Sequence, residues 1–182
     1  MLKYNVKRLD AIILTHGHKD HTGGIDDVRA FNFKQNRPMD IYGDRKTISH
    51  LKKEYFYVFN NDYPGIPKLS LHRIQNKKFN INGIEFIPIR IKHGEINIFG
   101  YRIGKFVYLT DLNYISGREK KKLVGADVLV ISALRKTPHK YHLSLAEALL
   151  IIDEVKPKRA YITHVSHLMG LYSDLENELP SY

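Results

Sequence analysis

A layered α/β fold is what this chain predicts, and three observations predict it. Short apolar runs of strand length alternate with segments whose apolar residues recur at helical spacing. Four of those runs end in histidine or aspartate, at Thr15-His16, Lys92-His93, Thr110-Asp111 and Thr163-His164. The 182 residues are 43% hydrophobic and no Pro/Gly/Ser-rich linker or composition shift divides them, so one domain over residues 1–182 is expected.

Residues 9–15 are apolar and short enough for a buried strand, and Gly23-Gly24-Ile25-Asp26-Asp27-Val28 then opens a helical pattern reaching about Phe33. The histidines of LTHGHKDHTGG lie on the loop between them. Residues 39–42 read as a strand, and Asp44 caps a helix running to about Phe59. Asn82-Gly83 tolerates the positive φ angles of a tight primed turn, which makes residues 79–81 and 84–91 a β-hairpin. Residues 96–103 and 105–110 pair across Gly104 as a second hairpin, and DVLVIS at 127–132 is a buried strand. Ser144-Leu145-Ala146-Glu147 has capping-box form, and Leu145, Ala148, Leu149, Ile152 and Val155 recur at helical spacing up to Pro157. Residues 159–163 make a last strand, and there is no internal repeat.

Composition narrows the chemistry. Zero cysteines removes disulfides and thiolate ligands, so any metal must be held by His, Asp or Glu. Residues 1–8 are too polar for a signal peptide and no apolar run approaches the roughly 18 residues of a membrane span, so a cytoplasmic protein without a membrane partner is expected. A net charge of +10 favours an anionic partner. Its largest block, Arg118-Glu119-Lys120-Lys121-Lys122, reads as the wet face of a short helix, and Lys52-Lys53, Lys77-Lys78 and residues 156–159 as solvated surface.

Neutral imidazole and carboxylate suit Zn, Mn or Fe, and positions i and i+2 on an extended loop point two imidazoles at one ion. Asp20 and His21 face another way as the helix begins, which suits a second ion. The seven donors exceed what one tetrahedral ion uses. The expected assignment is His16, His18 and His93 on one metal, Asp20, His21 and His164 on the other, and Asp111 bridging. Two divalent ions, two aspartates and a bridging hydroxide leave a site charge of about +1, which attracts an anion such as a phosphodiester.

Thr15-His16-Gly17-His18-Lys19-Asp20-His21-Thr22-Gly23-Gly24, with His93, Asp111 and His164, resembles the metallo-β-lactamase-fold hydrolases over nearly the whole chain. The resemblance implies an αββα sandwich with a dinuclear site on one edge of its sheets. His18 stands where the redox flavo-diiron branch carries glutamate, which speaks against electron transfer. The stretches FGYRI (99–103), VYLTD (107–111), HLSLAEA (142–148) and ITHVSH (162–167) look like the phosphodiesterase branch. That branch holds the phosphoribosyl 1,2-cyclic phosphate phosphodiesterases and their relative tRNase Z.

What the resemblance implies is a small anionic cyclic phosphodiester as substrate, two divalent ions (Zn or Mn), attack by bridging hydroxide, and His142 as general acid. Asp20 counts among the catalytic residues as well as the ligands. The family's N-terminal strands and C-terminal end are expected to be lacking here, and exposed strand edges admit a homodimer. His167 matches a structural-zinc position of the cyclic phosphodiesterases, but the cysteines that share that zinc are absent. Open alternatives are a tRNase Z-like endonuclease with RNA as partner, a glyoxalase II-type thioesterase sharing all seven ligand identities, and a non-catalytic binding protein on this fold.

Arg135 and His139 follow the DVLVIS strand, where an arginine either binds a substrate phosphate through parallel hydrogen bonds or serves its own loop. Tyr55, Phe56, Tyr57 and Phe59 read as a packed helix end rather than a base-stacking surface. His50 and His72 lack companions in the sequence and read as structural or exposed.

Overall fold

A computed structural model describes residues 2–60 and 64–180. The chain forms two compact units, Met1–Gln75 and Asn76–Tyr182. No helix among the described residues is long and apolar enough to cross a membrane.

The first unit contains, in order, β1 (Ala11–Ile13), α1 (Lys19–Thr22), a 3-10 turn (Ile25–Val28), α2 (Arg29–Gln35), β2 (Met39–Gly43), α3 (Arg45–Glu54), α4 (Phe56–Asn60) and β3 (Leu69–Arg73). The strands form a parallel sheet in the order β1-β2-β3. Met39 and Ile41 of β2 alternate into a core with Leu14, Ile25, Val28, Phe31, Leu51 and Tyr55. Asp44 caps α3 by accepting the Thr47 amide at 2.7 Å, as expected.

Two helices differ from the sequence reading. The pattern expected to run to about Phe33 is split into α1, the turn and α2, since Gly23-Gly24 is a poor helix interior. The helix expected to reach Phe59 breaks at Tyr55, whose buried hydroxyl donates to the Thr22 carbonyl at 2.7 Å. Strand β3 was not expected. The buried Asn32 fixes its start, accepting from the Lys68 amide at 2.9 Å and donating to the Lys68 carbonyl at 3.0 Å.

The second unit is built on a six-stranded sheet in sequential order: β4 (Phe79–Ile81), β5 (Ile84–His93), β6 (Ile96–Ile103), β7 (Phe106–Leu109), β8 (Val128–Ser132) and β9 (Arg159–Thr163). Both expected hairpins form. Asn82 and Gly83 take φ values of 49° and 85°, and Ile103 pairs with Phe106 across the second turn. Pairing is antiparallel from β4 to β7 and parallel from β7 through β9. The helices are α5 (Gly117–Lys120), α6 (Leu145–Val155) and α7 (Tyr172–Glu178). Ile89, Ile91, Val107, Leu109, Leu129 and Ile131 fill a core with Ala148 and Ile152 of α6.

The basic block at 118–122 is not wholly a wet face. Glu119 is buried, accepts from Asn76 and from the Arg90 amide at 2.8 Å each, and pairs with Lys122 at 2.6 Å. Burial pushes its carboxyl up, but these donors outweigh that and hold it below the usual carboxylate range.

The capping box of α6 forms as the sequence predicts, with Ser144 and Glu147 exchanging side-chain and backbone bonds. Ser144→Ala should therefore lower the unfolding free energy by about 1 kcal/mol, measured by urea denaturation. An unchanged midpoint would show that the cap adds no stability.

Candidate metal centre

Each unit carries a set of metal-competent side chains. In the first, β1 delivers the chain to Thr15, whose hydroxyl lies 3.1 Å from His16 Nδ1 and orients that ring. Gly17 separates His16 from His18, and His18 takes extended angles at the N-cap of α1. His16 is buried, with its ring centroid 4.5 Å from that of His18 and 4.3 Å from that of His21. Two donor pairs result, because the ligand atoms of His16 and His18 approach within 4.8 Å, and so do those of Asp20 and His21.

In the second unit, strand direction does the positioning. β5 and β7 run the same way because β6 turns back between them, and β8 and β9 are parallel to β7. The carboxyl ends of β5, β7 and β9 therefore lie on one edge of the sheet, and they carry His93, Asp111 and His164. The ligand atoms of Asp111 come within 4.8 Å of those of both His93 and His164, so Asp111 belongs to both pairs. Its Oδ1 lies 2.9 Å from His164 Nε2 and accepts from the Thr110 hydroxyl at 3.0 Å. Two atoms each about 2.1 Å from one tetrahedral ion lie about 3.4 Å apart, so the donors fit a divalent cation.

Backbone geometry marks the same residues. Asp111 and His164 adopt φ values of 58° and 56°, a region that residues with a Cβ enter at a cost of about 1–3 kcal/mol. The remaining positive-φ residues other than glycine, among those described, are asparagines at turns and Lys156 at the end of α6.

The loop after β8 brings more imidazoles to this edge. His142 stacks on His164 with centroids 5.2 Å apart, and lies 4.8 Å from His93 and 5.2 Å from His139. Its Nδ1 is buried and has no hydrogen-bond partner among the described residues. Burial pushes this imidazole down to about 4; the Asp111 carboxylate opposes that, and His93, His164 and His139 add to it. His139 Nδ1 accepts from the Tyr141 amide at 3.2 Å. Arg135 donates to the Thr137 and Pro138 carbonyls at 3.2 and 2.6 Å, so its guanidinium braces its own loop.

Sequence reasoning missed Tyr141 and Asn113. The Tyr141 carbonyl lies 3.0 Å from His93 Nδ1 and accepts from it, so Nε2 is the nitrogen that would meet an ion. The Asn113 side chain ties the turn after His93 to the same loop, accepting from Gly94 at 3.0 Å and donating to Lys140 at 3.1 Å. Neither residue is a metal-ligand type, and only the fold brings them to His93.

His50 and His72 make structural contacts and stay at least partly exposed, in line with the sequence reading, and the fold supplies companions that the sequence does not show. His72 does have companions: Nε2 lies 2.7 Å from Asp40 and 3.2 Å from Ser70, and its ring stacks on Tyr42. His50 lies 3.5 Å from Glu54 and packs against Gly17, where an added Cβ would meet its ring carbon at 3.1 Å. Pairing across strands and contact between a helix and a loop have no local sequence signature. His167 is exposed and falls in no group of metal-competent side chains among the described residues.

Residues 2–165 match the family described as "Beta-lactamase superfamily domain". The crystal structure of a diphosphatase of the PhnP family is 35% identical, with a TM-score of 0.90 over 99% of this chain and 68% of that one. An octanoyltransferase of Porphyromonas gingivalis is 32% identical over 97% of this chain and 36% of its own length. The exodeoxyribonuclease WalJ of Streptococcus pneumoniae is 30% identical over 131 residues, 69% of this chain and 44% of that protein. The chain thus spans less than half the length of these two curated relatives.

With the metal removed by chelation, His142 should stay neutral to near pH 4 in an NMR titration. Its folded pKa lies below the ordinary value of 6.5, so the unfolded chain binds the proton first. The ring therefore withdraws stability as pH falls from 6.5 towards 4 and leaves it unaffected above that window. A midpoint near 6.5 would show a solvated ring.

Proposed function

The chain belongs to the beta-lactamase superfamily, and from that premise we propose that it is a metal-dependent hydrolase of phosphodiesters. The observation that carries this reading is the set on one sheet edge: His93, Asp111 and His164, two of them held at positive φ, with His142 stacked alongside. Imidazole and carboxylate donors of this kind match divalent cations such as zinc or manganese. We carry forward the ligand assignment of His16, His18 and His93 to one ion and Asp20, His21 and His164 to the other, with Asp111 shared.

Bound divalent ions would supply a water of lowered pKa and neutralise charge on the phosphoryl oxygens. The chain's own residues do the rest. The Tyr141 carbonyl and Thr110 hydroxyl hold His93 and Asp111 in orientation, so the donors need no reorganisation on loading. His142, half-buried and with its Nδ1 atom buried and unbonded among the described residues, is the group assigned to protonate the leaving oxygen. It is neutral without substrate, and an anionic phosphate beside it favours the protonated ring. Burial of Leu112, Ala133 and Leu143 around these loops limits water on the side facing the core.

A small cyclic phosphodiester is the preferred substrate, on the sequence resemblance to the phosphodiesterase branch, and the likeness to a PhnP-family diphosphatase supports hydrolysis at phosphorus. Nuclease action is the second reading, favoured by the likeness to an exodeoxyribonuclease.

The test is to count metals per purified chain and assay bis(p-nitrophenyl) phosphate, a 2′,3′-cyclic nucleotide, a thioester and a tRNA precursor in parallel. About two metals and phosphodiester hydrolysis are expected; hydrolysis of the thioester alone would overturn the reading. Asp111→Asn should lose both metal and activity. His142→Ala should keep its metals and lower kcat by about 10²–10⁴-fold on an ester with a poor leaving group; unchanged activity would remove that residue from proton transfer.

A further inference from the structure

The outward face of α3 is basic and lacks compensating acids. Around the helix axis, Lys52, Arg45, Ser49, Lys53, Lys46 and His50 follow one another on the exposed side, while Thr47, Ile48 and Leu51 are buried. The side chains of Arg45, Lys46, Lys52 and Lys53 make no hydrogen bond or ion pair among the described residues. The only carboxylate in the helix, Glu54, is engaged by Lys19 at 2.9 Å and lies 3.5 Å from His50.

Helix stability does not explain this arrangement. Arg45 and Lys46 occupy the first turn, where the macrodipole disfavours cations by about 0.3–1 kcal/mol each. No acid stands four residues from Arg45, Lys46 or Lys53 within the helix, as a surface built on i,i+4 ion pairs would require. The face also leads to the metal-ligand loop of its own unit, since the His50 ring packs on Gly17, between His16 and His18. Arg45, Lys46, Ser49, His50 and Lys53 line a shallow groove along it.

We propose that this face of α3 binds the phosphate backbone of a single-stranded polynucleotide. The proposal rests on the phosphodiester reading and develops its second form, nuclease action, by giving that form a polymeric substrate. From Arg45 to Lys53 the helix rises about 12 Å, which spans three to four stacked nucleotides at about 3.4 Å each. An anionic membrane fits less well, because the face offers no apolar side chain to enter the lipid boundary.

The test is fluorescence anisotropy of labelled 20-nucleotide DNA and RNA strands with the full chain in EDTA, so binding is read apart from hydrolysis. Lys46→Glu/Lys53→Glu is compared with Arg118→Glu/Lys121→Glu, an equal charge change at exposed positions of the other unit. Glutamate at position 46 suits the helix dipole and glutamate at position 53 opposes it by a similar amount, so the two effects offset and the helix, anchored by buried Ile48 and Leu51, is kept, as circular dichroism checks. Expected are at least a tenfold loss of affinity for the α3 variant and a loss under about threefold for the control. The α3 variant's salt dependence should be shallower by about 1.4, at roughly 0.7 per phosphate contact on a single strand.

Hydrolysis of bis(p-nitrophenyl) phosphate by the metal-loaded α3 variant should match wild type. Equal losses in both variants, no strand binding by wild type, or preferential binding to phosphatidylserine vesicles would each overturn the proposal. Strand binding without any ester hydrolysis would instead overturn the phosphodiesterase reading and leave this face standing.

Discussion

Strand direction in the six-stranded sheet is the constraint on which the second unit's site depends. An antiparallel hairpin returns the chain, so two successive hairpins restore the original direction. β5 and β7 therefore end on the same edge, and the parallel crossovers to β8 and β9 place two further carboxyl ends there. A register slip of one residue would turn Leu109 or Ile131 out of the core and carry Asp111 or the loop after β8 away with it. Core packing and donor placement are thus specified by the same ladder.

The strained backbone at Asp111 and His164 is held by that core. Leu109 and Leu112 are fully buried on either side of Thr110 and Asp111, and the Ala133 amide donates to the Thr163 carbonyl at 3.1 Å beside His164. Burial on this scale offsets a conformational cost of about 1–3 kcal/mol per residue. The return is that each donor leaves its strand by a sharp turn rather than a long loop, so its side chain is set before any ion arrives. His93 is prepared differently, through the Tyr141 carbonyl and the Asn113 bracket.

The first unit divides its labour between a loop and a helix. The loop after β1 and the single turn of α1 carry four donors within six residues, and α3 backs that loop through His50 against Gly17 and Glu54 against Lys19. The charge of +10 is thus unevenly spent. Lys122 is engaged by the buried Pro88 carbonyl and Glu119 carboxylate, and Arg102 by the Lys122 and Val124 carbonyls, whereas the cations of α3 are left to the solvent.

Local chemistry made much of the metallo-β-lactamase fold readable in advance. Asn82-Gly83 announces its hairpin, Ser144 and Glu147 announce the start of α6, and apolar runs ending in His or Asp announce where donors leave the strands. These signals lie within a few residues of one another, and the backbone responds to them directly. Which strands are neighbours, the presence of β3, the burial of Glu119, and the meeting of His142 with His93 and His164 depend on contacts between distant residues. Those contacts follow from closing ladders and filling a core, a property of the whole unit that no local pattern of residues carries.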